Sequence, residues 1–354
     1  MEEIREGLPT IVLGVDTHLD VHVGVVVDQL GRVRGSRSIP VTSDGYADLL
    51  NWARGMGSLA RAGLEGTGTY GAGLARFLSD HGVQVIEVNR PDRARRRRRG
   101  KNDPTDAESA ARAVLAGDAV ATPKARSGFV EAMRAVNVAR RSAVKAKTQA
   151  ANQLRGLLVS APVMLRETLL KTKIEDCVAA CSTVEEQSDG PAVAALKSTL
   201  RLLAGRWTAL HAELRQLDAA LERLTRRAAP RLTAQFGVGP QTAATLLVTA
   251  GDNPQRLHSE AALAALCGVS PLEASSGKVT RHRLNLGGAR QANNALWTIS
   301  MVRMRSDERT KAYVERRTRE GRTYKEIQRC LKRYIVRELY PLILADLAQS
   351  ASSS

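Results

Sequence analysis

Aromatic side chains are scarce in this sequence, where Phe, Trp and Tyr make up only 3% of the residues. Proteins that hold single-stranded nucleic acid without sequence preference stack its bases on aromatic rings, so this mode of binding is disfavoured. The sequence also has no apolar run of about 18 residues, no signal peptide and no lipidation motif, and a membrane partner is therefore not expected. Its four cysteines include no CxxC pair, so neither a zinc site nor a disulfide framework is expected, and a reducing cytoplasm fits.

Acidic residues are fewer than basic ones. The 354 residues include 53 Lys and Arg against 36 Asp and Glu, which gives a formal net charge of +17. Such a surplus indicates a polyanionic partner, because basic side chains that neutralise phosphates release counterions and so favour binding. Since a membrane is not expected, we predict a nucleic acid that is held mainly by its backbone. The length is sufficient for two or three domains.

Residues 8–120 are predicted to form a mixed α/β domain. Short β-branched or apolar runs indicate buried strands, and two of these runs end at Asp16 and Glu65. Their order along the chain is three strands, a helix, a strand, a helix and a strand, which is that of a ribonuclease-H-like (RuvC-like) sheet. The predicted elements are strands over 11–15, 21–27, 32–41, 61–64 and 83–88, a helix over 44–56 with Ser43 as its N-cap, and helices that end near Leu78 and start near Asp103.

Two helical regions are predicted to follow, over residues 125–228 and 229–345, the second being a separate C-terminal domain. In the first, apolar residues recur in alternating steps of four and three, which is the a/d pattern of a coiled coil. The coiled coil would form within one chain, with a helix near 129–158, or between subunits; one amphipathic helix of a bundle is the alternative. The seam consists of Leu196, Leu200, Leu203, Trp207, Leu210, Leu214, Leu217, Leu221 and Leu224.

Four carboxylates occupy related places in the predicted domain. Asp16 and Glu65 each end a strand, whereas Asp103 and Asp106 lie three residues apart on one face at the start of a helix. Hard oxygen ligands that converge in this way suit one or two Mg²⁺ ions. Two metal ions about 3.5–4 Å apart can stabilise both the attacking and the leaving oxygen of a phosphoryl transfer. The alternative is that Asp103 is an N-cap and that Asp106 is an acid favoured by the helix dipole.

Three more polar residues follow Asp16 at every second position: His18, Asp20 and His22. One interpretation is a metal cluster that uses the imidazole nitrogens. The favoured interpretation is that residues 17–20 form the turn between the first two strands, with no ligand role for the histidines.

Five consecutive arginines precede the helix that carries Asp103 and Asp106, with Lys101 between the run and the helix. Each guanidinium can form two hydrogen bonds to a phosphate, largely without regard to base sequence. The alternative is a solvated charge run, which is less expected inside a folded domain than on a tail. We therefore predict that this run binds the nucleic-acid backbone beside the carboxylates. The run consists of Arg95, Arg96, Arg97, Arg98 and Arg99.

Three segments together carry a family resemblance: GVDTHLDVHVGVVVD, GLEGTGTYG and NRPDRARRRRRGKNDPTDAESAA. They resemble the DEDD catalytic domain of a family of bacterial insertion-sequence transposases, which is related to pilin-gene invertases and is described as bridge-RNA-guided recombinases. The resemblance implies that the family's four metal-binding acids are Asp16, Glu65, Asp103 and Asp106.

The segment GVSPLEASSGKVTRHRLNLGGARQANNALW resembles the second domain of the same family. The resemblance places the nucleophilic serine at Ser276, with Ser275 as the open alternative. A serine hydroxyl needs activation by a base or a metal, and the resemblance implies that the metal of the acidic site supplies it. The basic residues nearby that are candidates for nucleic-acid binding are Lys278, Arg281 and Arg283.

The family resemblance implies a DNA transposase or recombinase of the bacterial cytoplasm that uses Mg²⁺. Its implied partners are double-stranded donor and target DNA, a structured guide RNA and further copies of the chain in a dimer or tetramer. Two alternatives remain open at this point. One is a metal-only nuclease of the RuvC type that cuts Holliday junctions, and the other is a non-catalytic nucleic-acid scaffold.

Overall fold

The computed structural model of the chain describes residues 8–88, 102–185 and 190–351. The chain divides into two compact units, Met1–Arg126 and Ser127–Ser354. Within the described ranges, no helix is both long and apolar enough to cross a membrane.

The first unit is a five-stranded mixed sheet with helices on both faces. Its strands lie in the order β3-β2-β1-β4-β5, with β1 antiparallel to β2 and parallel to β4. The predicted mixed α/β class is confirmed, and the strand order is the one expected of a ribonuclease-H-like sheet. The elements are β1 (Thr10–Thr17), β2 (Val21–Asp28), β3 (Val33–Pro40), α1 (Ser43–Arg54), β4 (Ser58–Leu64), α2 (Ala72–Asp80), β5 (Gln84–Glu87) and α3 (Asp103–Leu115).

The predicted N-cap of α1, Ser43, is wrong. Thr42 caps the helix, because its Oγ1 accepts a hydrogen bond from the Gly45 N–H at 3.1 Å. A hydroxyl in this place satisfies one of the donors that a helix start leaves free. Ser43 instead lies in the first helical turn, and the helix ends at Arg54, two residues before the predicted end.

Successive side chains of the strands pack on opposite faces of the sheet. On one face, Leu13 of β1 packs with Leu49 of α1 and Leu74 of α2. On the other face, Val12 of β1 packs with Ala111 of α3. The sheet is therefore covered by α1 and α2 on one side and by α3 on the other, and the direction of each strand side chain decides which helix it meets.

The second unit is helical, apart from one short hairpin in the described residues. Its two longest described helices carry the predicted seam and its partner. The elements are α4 (Gly128–Val159), α5 (Val163–Leu169), α6 (Ile174–Ser182), α7 (Pro191–Ala228), α8 (Pro230–Thr233), α9 (Pro240–Ala250), a 3-10 turn (Pro254–Arg256), α10 (Glu260–Leu266), β6 (Leu272–Glu273), β7 (His282–Arg283), α11 (Arg290–Ser306), α12 (Glu308–Arg319) and α13 (Tyr324–Ala351).

Helices α4 and α7 lie antiparallel. Met133, near the start of α4, shares a hydrophobic cluster with Leu221, near the end of α7. Leu154, near the end of α4, shares another cluster with Leu200, near the start of α7. Every residue of the predicted seam is buried or half-buried, so other helices of the same chain pack along this side of α7. The supercoiling of this helix pair stays a prediction.

The first of these clusters extends into the C-terminal helices. Met133 and Leu221 share it with Leu246 of α9, Leu296 of α11 and Leu339 of α13. Residues from both predicted helical regions, 125–228 and 229–345, thus contribute to one hydrophobic core.

The cysteines of the second unit are free thiols, three of them buried. Burial raises the pKa of the Cys181 thiol to about 11 and that of the Cys267 thiol to about 12. Both thiols are therefore protonated at neutral pH, and neither has the reactivity of a thiolate.

Candidate functional site

Two of the predicted acids lie at the ends of neighbouring parallel strands of the first unit, Asp16 within β1 and Glu65 directly after β4. Val15 and Leu64 are register partners on β1 and β4, so Asp16 and Glu65, the next residue on each chain segment, lie at the same edge of the sheet. The Glu65 N–H donates to the Val15 carbonyl at 3.2 Å. The Thr17 Oγ1 donates to the Glu65 carbonyl at 2.9 Å. These bonds on either side of Asp16 fix the backbones of both acids against each other.

Two glycines let helix α3 lie directly on this part of the sheet. Gly14 and Gly63 are register partners on β1 and β4. A Cβ on Gly14 would lie 2.0 Å from the Ala107 carbonyl oxygen, and one on Gly63 would lie 2.7 Å from that of Ala110. Since side chains alternate along a strand, the residues two positions further on project to this same face. Asp16 and Glu65 are those residues, so α3 and both acids occupy one face.

The start of α3 carries the other two predicted acids. Asn102 is the N-cap, and its side chain accepts a hydrogen bond from the Thr105 N–H at 2.8 Å. The alternative that Asp103 is an N-cap is therefore wrong, and its carboxylate is not used as a cap. Asp103 and Asp106 both lie in the first turn, where the helix dipole favours negative charge. Asp106 is buried, whereas the Asp103 side chain is half-exposed.

Three side chains of this region bring possible metal ligands together: Asp16, His18 and Asp103. The His18 Nε2 lies 3.2 Å from the Asp16 Oδ2 and 3.4 Å from the Asp103 Oδ1. One ligand atom from each residue falls within 4.8 Å of the others. Carboxylate oxygens and an imidazole nitrogen at these separations fit a divalent metal ion.

The protonation of Asp16 reflects its surroundings. Burial is the largest effect and raises the pKa of this carboxyl, and the nearby charges of Asp106 and Asp103 raise it further. His18 acts in the opposite direction and lowers it. The carboxylates thus lie close enough to repel one another, and a bound cation would relieve this repulsion.

The sequence interpretation of the histidines was right about the turn and incomplete about His18. Residues after Thr17 do connect β1 to β2, but the turn also directs His18 at the two carboxylates. The only signal for this in the sequence was the spacing of two from Asp16. His22 projects to the opposite face of the sheet, where it is fully buried and stacks on the Tyr46 ring at 5.9 Å between centroids.

The arginine run lies outside the described residues, in the stretch 89–101 between the end of β5 and the start of α3. The predicted role of its side chains in binding phosphates therefore stays a prediction, as does that of the lysine that follows them. The residues concerned are Arg95, Arg96, Arg97, Arg98, Arg99 and Lys101.

The predicted serine lies on an exposed hairpin of the second unit. Strands β6 and β7 pair through Leu272 with Arg283 and Glu273 with His282. Further along, Ser276 and Val279 exchange both backbone hydrogen bonds at 3.1 Å, which closes a two-residue turn. Gly277 in this turn has a φ of 56°, a conformation that glycine adopts without strain. Ser276 is therefore the last residue before the tip of the hairpin.

The two candidate serines differ in their hydrogen bonds. The Ser275 Oγ accepts a hydrogen bond from the Arg281 N–H at 3.2 Å and donates one to the Arg281 carbonyl at 3.5 Å, so it connects the two sides of the hairpin. In the described part of the chain, the Ser276 hydroxyl makes no hydrogen bond, and its residue is exposed. Of the two hydroxyls, only that of Ser275 is thus engaged in hydrogen bonds within the described residues of the hairpin. The predicted basic residues Lys278, Arg281 and Arg283 are exposed on the same hairpin.

The base of this hairpin is fixed to the helices beneath it. The Asn293 Nδ2 donates to the carbonyls of Cys267 and Gly268, each at 3.0 Å. The Lys332 Nζ donates to the Asn293 Oδ1 at 2.7 Å. The Asn285 Nδ2 donates to the Ala265 carbonyl at 3.1 Å. Side chains from α11 and α13 thus hold the start of the segment that carries Ser276, and sequence reasoning did not identify them.

The strand order and the carboxylates at the edge of the sheet match the ribonuclease-H-like class of metal-dependent domains. Residues 13–161 match a transposase family model for the DEDD domain of IS110, and residues 229–315 match the transposase IS116/IS110/IS902 family. Both matches are to one transposase family, and together they span about two thirds of the chain, so the chain belongs to the IS110 family. The first match contains all four predicted acids, and the second contains both candidate serines.

The chain is also similar to a protein of Streptomyces coelicolor, described as "Insertion element IS110 uncharacterized 43.6 kDa protein". The two are 31% identical over 156 residues, which is 43% of this chain and 38% of the relative. The chain thus matches well under half of that relative's length.

Proposed function

We propose that this chain cuts and rejoins DNA strands as the transposase of an insertion sequence, with Ser276 as its nucleophile. The metal ligands in this proposal are the four acids Asp16, Glu65, Asp103 and Asp106, and Mg²⁺ is the ion that the sequence predicts. One observation supports it most strongly: the Asp16 and Asp103 carboxylates lie 3.2 and 3.4 Å from the His18 Nε2. These side chains lie at the ends of strands in a sheet whose strand order is that of a ribonuclease-H-like domain. The segment with the four acids and the segment with Ser276 each lie within a match to the same transposase family.

A bound divalent ion would supply the electrostatic stabilisation that phosphoryl transfer needs and would lower the pKa of a coordinated hydroxyl. The chain's own contribution begins with the acids. The carboxylate of Asp16 is held by β1 and that of Asp106 by α3, both largely buried, so neither has to be ordered when DNA binds.

The proposed step at Ser276 is a transesterification. The Ser276 Oγ forms a bond to the phosphorus of one phosphodiester, and the bond from that phosphorus to a deoxyribose oxygen breaks. The serine proton passes to water, and the released deoxyribose oxygen takes up a proton. A hydroxyl of a second DNA strand later attacks the phosphoserine, which restores a phosphodiester and returns the hydroxyl to Ser276. The number of phosphoester bonds is unchanged, so no energy-rich cofactor is required.

The exposed hairpin supports the assignment of Ser276. Ser276 is an exposed residue, and the cationic side chains of Lys278, Arg281 and Arg283 lie on the same hairpin. Charged donors of this kind bind phosphates without reading the bases. Double-stranded donor and target DNA, a structured guide RNA and a dimer or tetramer of the chain complete the proposal, and for the RNA and the oligomer the support is the family resemblance.

The test is the formation of a covalent protein–DNA adduct. The protein is incubated with end-labelled duplexes that span the ends of the insertion element encoding it, together with RNA transcribed from the DNA beside its reading frame. The products are separated on a denaturing gel. We expect an adduct with the wild type and with Ser275→Ala, and none with Ser276→Ala. Asp16→Asn should abolish the adduct while DNA binding, measured by filter retention, stays within about twofold of the wild type. Asp80→Asn, an exposed acid at the end of α2, is the matched control and should behave as the wild type.

Other outcomes would identify the alternatives. Strand cleavage without any adduct would indicate a metal-only nuclease of the RuvC type. An adduct that persists in both serine variants would remove the serine from the mechanism. Binding without cleavage in the wild type, unchanged by Asp16→Asn, would indicate a non-catalytic scaffold.

A further inference from the structure

His18 occupies a fixed place beside the proposed metal ligands. It follows β1 directly, two residues after Asp16, and hydrogen bonds hold residues on both sides of it. Before it, the Thr17 Oγ1 donates to the Glu65 carbonyl at 2.9 Å. After it, the Val41 N–H donates to the Asp20 carbonyl at 3.1 Å. The imidazole therefore reaches the carboxylates from a turn that is held on both sides, next to the ends of β3 and β4.

The distances around the His18 Nε2 are those of neighbouring ligands on one ion. Two adjacent ligands of an octahedral ion, each bound at about 2.1 Å, lie about 3.0 Å apart. The His18 Nε2 is 3.2 Å from the Asp16 Oδ2 and 3.4 Å from the Asp103 Oδ1. All three ligand atoms lie within 4.8 Å of one another, so one ion of ordinary size would be in reach of all three.

The same nitrogen has a simpler possible role, as a hydrogen-bond donor between the two carboxylates. Such a donor would need no metal ion. A divalent ion bound by the same carboxylates would repel a proton on Nε2 and favour the tautomer whose Nε2 lone pair faces the ion.

We infer that His18 is a nitrogen ligand of this metal site and that it raises the affinity of the site for divalent transition-metal ions, such as Mn²⁺ and Co²⁺, more than its affinity for Mg²⁺. The inference rests on the proposed function of the same site. An all-oxygen set of carboxylates and water suits Mg²⁺, whereas an imidazole adds affinity for the transition metals. The gain should follow their usual order of affinity, larger for Co²⁺ than for Mn²⁺.

The direct test is electron spin echo spectroscopy of the full-length protein loaded with Mn²⁺. We expect the modulation of a coordinated imidazole ¹⁴N in the wild type and its loss in His18→Ala and His18→Gln. The Gln variant keeps side-chain length and a hydrogen-bond donor but has no imidazole. His258→Ala, which removes an exposed histidine of the second unit, is the matched control and should keep the signal. Because the His18 side chain is half-exposed, these substitutions should leave the fold intact, which circular dichroism checks.

Metal titrations give a second readout that is independent of activity. Mn²⁺ binding is followed by the electron paramagnetic resonance of the free ion, and Co²⁺ and Mg²⁺ by competition. We expect His18→Ala to weaken Mn²⁺ binding by about tenfold or more and to weaken Co²⁺ binding by a larger factor. The same substitution should weaken Mg²⁺ binding by no more than about threefold.

Two results would overturn the inference. One is a wild-type Mn²⁺ complex without nitrogen modulation, and the other is an equal loss of Mg²⁺ and Mn²⁺ affinity in His18→Ala. If Asp16→Asn still abolishes metal binding and the DNA adduct, the proposed function stands and only the role of His18 fails. If the wild type binds no divalent ion at all, both fail.

Discussion

Gly14 of β1 lies beside Gly63 of β4, and helix α3 rests on both. The absence of two side chains is what allows the helix backbone to approach the sheet so closely. The residues two positions further along each strand are Asp16 and Glu65, so the same approach brings the start of α3 to the acids. The spacing of glycine and acid along each strand thus connects helix packing with the geometry of the site.

Gly14→Ala should displace α3 and weaken the metal site together. The new Cβ would meet the Ala107 carbonyl at 2.0 Å and the Ala111 nitrogen at 2.4 Å, and backbone atoms cannot move aside as a flexible side chain can. We expect a loss of about 1–3 kcal/mol or more in the free energy of unfolding, measured in urea, and weaker Mn²⁺ binding. Gly156→Ala is the control, since its Cβ would meet nothing within 4 Å on helix α4. It should stabilise the protein by up to about 1 kcal/mol. Equal stability of the two variants would show that the close packing of α3 on the sheet does not require glycine at position 14.

The stability of the first unit should fall on acidification because of His22. Burial lowers the pKa of this ring below its ordinary value of 6.5, so the folded state keeps it neutral. The unfolded state takes up a proton as the pH falls through about 6.5 and then binds more protons than the folded state. The contribution of His22 is therefore complete above pH 6.5 and decreases below it.

His22→Leu removes the titrating ring, and its free energy of unfolding should depend less on pH between about pH 7 and pH 5 than that of the wild type. The measurement is a series of urea denaturation curves at fixed ionic strength. His258→Leu, at an exposed histidine, should keep the wild-type pH dependence. An unchanged slope in His22→Leu would show that the ring is not held neutral in the fold.

Truncating a side chain of α7 should destabilise the protein only on the buried side of the helix, which carries the seam. Leu200 is fully buried and shares a cluster with Leu154 of α4, whereas Leu202 on the same helix is 73% exposed. We expect Leu200→Ala to cost about 2–5 kcal/mol and Leu202→Ala to stay within about 0.5 kcal/mol of the wild type. Thermal and urea denaturation compare the two. If Leu202→Ala were the more damaging change, the exposed side of α7 would be an interface with another chain.

Asn293 should stabilise the base of the β6–β7 hairpin, which carries Ser276. Its replacement by Ala leaves the Cys267 and Gly268 carbonyls without this donor and removes the acceptor of the Lys332 Nζ. We expect a cost of about 1–3 kcal/mol, faster limited proteolysis within residues 270–288 and slower adduct formation. Asn294→Ala, at the exposed neighbouring position, should change none of the three. Unaltered proteolysis in Asn293→Ala would show that the hairpin is held by other contacts.

Much of the first unit could be predicted because its signals are local. The β-branched runs at 11–15 and 21–27 correspond to β1 and β2, and the helix that starts at Asp103 is α3. The capping of α1 was mistaken, because Thr42 and Ser43 are both good caps and only the backbone conformation decides between them. Element type follows from periodicity, whereas an element boundary depends on one hydrogen bond.

Residue patterns alone were sufficient to predict the ribonuclease-H-like sheet, the acids at its strand ends and the seam of α7, because each depends on periodicity or on a residue's place within one element. Tertiary packing was needed to show that His18 points between Asp16 and Asp103, and that Ser275 is bound within the hairpin while the Ser276 hydroxyl is free of such bonds. Distances between side chains far apart in the chain arise from packing, here from two glycines that let a helix meet a sheet. No pattern within a single element contains that information.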